Sequence, residues 1–132
     1  MTLQAAAALL ATAFLIGGMV LFSFSFAAFL FAQLPAAEAG SLLRRAFPWF
    51  YLWVIGLAAI AAALHLGLDR DSALWLAAVA ITTLPARQQL MPAINAATDA
   101  GDSAHFKRLH GLSVGIGLTQ IAAVGYVLLR FL

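Results

Sequence analysis

Polar and charged residues interrupt the chain only in short clusters, and four long apolar stretches run between them. The first, Leu3 to Leu34, holds no ionisable residue, and the next charge is Glu38. At about 1.5 Å per residue it exceeds the roughly 30 Å hydrocarbon core of a bilayer, which predicts a membrane helix that tilts or protrudes. The second stretch, from about Phe47 to Leu68, and the fourth, from about Leu109 to Leu132, are each long enough to span. The third is the short one. Its clean apolar part, Ala73 to Ala86, covers only about 21 Å as a helix, so a full crossing must continue through Arg87, Gln88 and Gln89 into the patch from Leu90 to Ile94. The pattern predicts spans over 3–34, 47–68, 73–94 and 109–132 in one domain, an all-α, integral membrane four-helix bundle of up-down-up-down topology.

The intervening links are short. Pro35 to Arg45 carries Glu38, Gly40, Arg44 and Arg45; Gly67 to Ser72 reads as a tight turn, with Ser72 or Asp71 the expected N-cap of the third helix; Ala96 to Ser103 is polar. None can hold a soluble folded unit, and no repeat occurs at a fixed period. The first stretch has no Lys or Arg before it and no polar cleavage region after it, so it reads as a retained span and not as a signal peptide.

Composition agrees with lipid as the solvent: 132 residues, 64% hydrophobic and 9% charged, could not bury so much apolar surface in a core of their own. Cysteine is absent, which removes disulfides, thiolate metal sites and thiol nucleophiles. The net charge of +2 is too small to define a nucleic-acid face. Its distribution carries more. Four spans place Arg44, Arg45, Arg87, Lys107 and Arg108 at one face and Arg70 and Arg130 at the other, so the first and third links are expected in the cytoplasm of a bacterial inner membrane and both termini in the periplasm. Trp49, Tyr51 and Trp53 near the start of the second helix and Trp75 near the start of the third fit interfacial aromatic belts.

Candidate chemistry is sparse. His105 and His110 are five residues apart, about 140° around a helix, and do not share a face. His65 belongs to the opposite end of the bundle from His110, which disfavours ligation of one haem by that pair; beside Asp71, His65 reads as a titratable residue at a helix end. Arg87 is the stronger candidate, since an ionisable residue inside a span is costly. Pro85 and Pro92 free the carbonyls of Ile81 and Gln88, so Arg87, Gln88 and Asn95, with Asp99 or Asp102 as counter-ion, are placed to line a small polar pocket. The competing reading is that Arg87 reaches to the headgroups and the prolines only kink the helix. Arg44, Arg45, Lys107 and Arg108 are placed to attract anionic lipid headgroups or simply to fix orientation. Gly111 and Gly115, extended by Ser113, Gly117 and Ala122, form a small-residue pattern that predicts close helix packing, preferentially within the chain. The run Phe22, Phe24, Phe26, Phe29 and Phe31 reads as lipid contact or core packing, and no carboxylate lies within a span to serve acid–base chemistry or proton relay.

The order and spacing of Gly18-Met-Val-Leu-Phe22, Leu34-Pro35, Ala39-Gly40, Phe47-Pro48-Trp49-Phe50-Tyr51, Arg87 to Pro92 with Asn95, and Phe106, Leu109-His110-Gly111 and Ser113 resemble the transmembrane-protein-205-like family of small four-helix membrane proteins. That family is similar in layout to copper-resistance-D-like proteins, some of whose relatives handle haem. Members often carry an asparagine a few residues beyond the fourth-helix serine, where this chain has Gly115 and Gly117, so a polar network at that place does not carry over. Taken with the residues, the expectation is a non-enzymatic accessory or interaction subunit, associated with other membrane subunits or with its own copies, whose polar pocket is built on Arg87, Gln88, Asn95 and His110. No cofactor is expected. The alternatives are a redox protein holding haem or a metal ion at His110, and a small transporter or exporter.

Overall fold

A computed structural model describes residues 1–132 as four helical rods joined by very short turns: α1, Leu3–Gln33; α2, Ala36–His65; α3, residues 70–99; and α4, Ser103–Leu129. The bundle is all-α. Of these, α1, α2 and α4 are long and apolar enough to cross a membrane. The α3 rod packs between α2 and α4 and places Leu76, Val79 and Ala80 in the same core as Leu15 and Met19 of α1, Val54 and Ala58 of α2, and Val124 and Val127 of α4. Alanines make up much of this core, which lets the rods approach closely.

The rods run past the apolar stretches that the sequence marks out. The segment Pro35 to Arg45, expected as a link, is helix from Ala36 onward, α3 continues through Asp99 instead of stopping near Ile94, and α4 starts at Ser103. Charges delimit the lipid-facing part of a helix; they do not end it, because Glu, Arg and Lys are good helix formers once in water. Local chemistry sets the ends. Leu34 is extended, as a residue before proline must be, and breaks α1 from α2. Asp69, not Ser72 or Asp71, caps α3: its carboxylate accepts from the Asp71 amide (3.2 Å) and the Ser72 hydroxyl (2.5 Å). Gly101, at φ 67°, closes α3 in a Schellman turn, with the amides of Gly101 and Asp102 donating to Thr98 and Ala97 carbonyls. Asp102 then caps α4 through the His105 amide (3.1 Å).

Two wide π turns interrupt the α geometry, Leu21–Phe26 in α1 and Ala86–Leu90 in α3. The second falls between Pro85 and Pro92, and the Met91 amide reaches back to the Ala86 carbonyl. A proline supplies no amide to the carbonyl four residues earlier, and the wider turn is how the helix re-forms around that loss.

Candidate functional site

Arg45 and His65 are separated on α2 by about 30 Å of helical rise, and Arg108 and Arg130 on α4 by about 33 Å. Those spacings match the thickness of a hydrocarbon core. The bundle therefore has a basic end, with Arg44, Arg45, Arg87, Lys107 and Arg108, and an opposite end with Asp69, Arg70, Asp71 and Arg130. At the basic end the first turns of α2 and the last of α3 project beyond that thickness.

The residues expected to form one polar pocket at the basic end do not build a hydrogen-bonded network. Arg87, half-buried, turns toward α2 and donates from Nε to the Pro48 carbonyl (3.2 Å). Neither expected counter-ion serves it. Asp99 is held by Arg44 in a two-point ion pair (2.7 and 2.8 Å), and Asp102 is spent on capping α4. Gln88 is exposed, Asn95 is half-buried, and His110 is exposed with its ring stacked 5.4 Å from Phe106. No hydrogen bond joins Arg87, Gln88, Asn95 or His110 to another of the four. Nearby, the Tyr51 hydroxyl lies 3.4 Å from that of Ser113, a bridge between α2 and α4. Arg45, Lys107 and Arg108 are exposed and without carboxylate partners.

Gly111 and Gly115 do not mediate helix packing within the chain. A Cβ added at either would meet nothing within 4 Å, because this side of α4 faces outward, and one added at Gly117 would meet nothing either. The close approach occurs instead at Gly18, where an added Cβ would collide with the outer edge of the Trp53 six-membered ring.

Below that contact α1 and α2 part to form an open lateral groove of about 880 Å³. Its α1 wall is Leu21, Phe22, Ser25, Phe26 and Phe29, one helical face spaced by three and four residues; its α2 wall is Ala46, Trp49, Phe50 and Trp53. Phe22 stacks on Phe50 at 4.1 Å and 7° and meets Phe47 edge-on at 5.1 Å, so the floor of the groove is a rigid aromatic cluster. Ser25 is its one hydroxyl.

At the opposite end Arg130 grips the Asp69 carboxylate from Nε (2.6 Å) and Nη2 (3.1 Å) and donates from Nη1 to the Tyr126 hydroxyl (3.0 Å). The Arg130 hydrogen bond, then the Ser72 hydroxyl, hold the Asp69 carboxyl far below the usual carboxylate range, and Asp69 in turn raises Arg130. This pair borders a cavity of about 280 Å³ that also touches His65. His65 is 2% exposed. Its Nδ1 donates to the Ala61 carbonyl (2.8 Å), which makes Nε2 an acceptor, and Nε2 has no partner. His65 and His110 thus sit at opposite ends, and no group of three or more metal-binding side chains occurs.

Midway between the ends, Gln120 of α4 donates from Nε2 to the hydroxyls of Thr82 (2.8 Å) and Thr83 (3.1 Å) on α3. The sequence reading missed this clamp. Its signal was a lone amide in the fourth span and a Thr pair in the third, each at about mid-depth. The Asp69–Arg130 pair was missed as well, although the turn from Gly67 to Ser72 and Arg130 fall at the same end.

A family model for a domain of unknown function, DUF4149, matches residues 10–103, most of the chain. The chain belongs to the DUF4149 family. No curated protein and no solved structure matches it. The matched segment includes the residues of both groove walls, of the Arg44–Asp99 pair and Arg87. Gln120 and Arg130 lie beyond it.

Proposed function

We propose that this small membrane protein is a non-enzymatic accessory or interaction subunit, and that its working surface is the groove between α1 and α2. The observation that carries this reading is the groove itself: about 880 Å³ of aromatic-lined space opening sideways at bilayer depth, with a fixed floor and no ionisable side chain in its walls. Such a surface binds by shape and apolar contact; it offers nothing for bond making. A concave, aromatic-lined pocket of this size is the kind of place where ligands bind. By the excess of Lys and Arg, the basic end faces the cytoplasm of a bacterial inner membrane.

Photocrosslinking in native membranes tests this directly. With benzoylphenylalanine in place of Trp49, on the groove wall, defined adducts are expected; in place of Ile81, which is 64% exposed on α3, only background is expected. Equal adduct yield from the two positions would reject the groove as the working surface.

A further inference from the structure

We infer that the groove holds one anionic phospholipid, with an acyl chain against Trp49, Phe50 and Trp53 and its phosphate on Arg45. This rests on the groove being the protein's working surface and names what occupies it. From Phe29 to Gly18 the groove follows α1 for about 16 Å, close to the depth of one leaflet, which is half of a roughly 30 Å core. It ends where the Trp53 indole lies on Gly18 and closes the space. Ser25 and the indole N–H groups of Trp49 and Trp53 are the only hydrogen-bonding side-chain groups in its walls, so most of a polar ligand would lose its hydration without replacement, whereas an acyl chain loses nothing.

The charge beside the groove points to the headgroup. Arg45 lies one turn from Trp49 on the same side of α2, toward the basic end and at the level where the hydrocarbon core gives way to headgroups. Its neighbour Arg44 is committed to Asp99, and Arg87 to the Pro48 carbonyl, whereas Arg45 has no hydrogen bond or ion pair. A guanidinium so placed suits the planar, two-point recognition of a phosphodiester.

The test uses the full chain with Trp75→Phe, so that emission comes from Trp49 and Trp53, in phosphatidylcholine nanodiscs. A minor fraction of lipid carries brominated acyl chains, either as phosphatidylglycerol or as phosphatidylcholine. One surface-level basic residue corresponds to about a fivefold preference, so brominated phosphatidylglycerol is expected to quench about fivefold more effectively per mole. Arg45→Gln should abolish the preference with an unchanged melting midpoint, and Arg44→Gln should retain it. Equal quenching by the two lipids, or a preference that survives Arg45→Gln, overturns the anionic-lipid assignment while leaving the groove open to the bilayer. Quenching by neither lipid overturns both this assignment and the open groove, and is the result that a protein helix seated there would give.

Discussion

Replacing Gln120 with leucine removes the polar tie between α4 and α3 at mid-depth, and the structure fixes how much should be lost. Two hydrogen bonds disappear, to Thr82 at 2.8 Å and Thr83 at 3.1 Å, with a marginal third to the Val79 carbonyl at 3.5 Å. Leucine keeps most of the volume. The decisive point is what the threonines do afterwards: each hydroxyl already donates to its own helix, Thr82 to Ala78 and Thr83 to Val79, both at 2.7 Å. No donor is therefore orphaned in hydrocarbon, and the larger penalty for an unsatisfied buried group does not apply. Interhelical hydrogen bonds in membranes average about 0.6 kcal/mol and reach about 1.7 kcal/mol, so Gln120→Leu should cost about 1–2 kcal/mol. The assay is reversible unfolding in mixed micelles followed by tryptophan emission, on Gln120→Leu, Thr83→Val and the double variant. Coupling of about 0.5 kcal/mol is expected between the two sites. Strict additivity, or a loss above about 3 kcal/mol from Gln120→Leu alone, would refute the reasoning.

Two further outcomes follow from the opposite end. Because Arg130 and Ser72 depress the Asp69 carboxyl, its contribution to stability is fully present above the unfolded value of about 4 and is lost as pH falls toward the lower folded value. The melting difference between the wild type and Asp69→Asn should be constant from about pH 5 to 7 and shrink below about pH 4; a difference unchanged in acid contradicts the pairing. His65→Leu trades a single helix-internal bond for relief of an unpartnered buried acceptor, so it should leave stability unchanged or raise it by about 1 kcal/mol. A marked loss in the same unfolding assay would show that Nε2 has a partner in the membrane.

The bundle was legible in the sequence because lipid imposes a strong rule: long runs free of charge become helices, and the positions of Arg45, Arg87 and Arg108 mark one end. Helix ends were read less well, since the pattern registers where lipid stops and not where hydrogen bonding stops; the helical stretch Ala36–Arg45 is the clearest instance. The expected pocket around Arg87 failed in its partners. Asp99 was visible as a candidate counter-ion, but the choice between Arg44 and Arg87 depends on how far α2 and α3 project from the bilayer and how they are rotated. The groove was hidden for a related reason. Phe22, Phe26 and Phe29 read as bulky lipid-facing or core residues, but the π turn that sets their facing and the Gly18–Trp53 contact that closes the groove's end are products of packing. Gly111 and Gly115 teach the converse, because a small-residue motif announces that close approach is allowed, not that a neighbour is there.

The central claim is that all four rods, α3 included, cross the bilayer with their outward side chains in lipid. Phe14, Ile60, Ile81 and Leu118 are 67%, 57%, 64% and 48% exposed, one on each rod and each far from both charged ends. The chain has no cysteine, so single cysteines at these places and at Ser41 and Ser103 need no altered background. Labelling in sealed and detergent-opened vesicles with a charged maleimide should modify Ser41→Cys and Ser103→Cys readily and leave the four mid-rod cysteines unreacted until the protein is denatured. Rapid reaction at position 81, matching that at 103, would contradict the account.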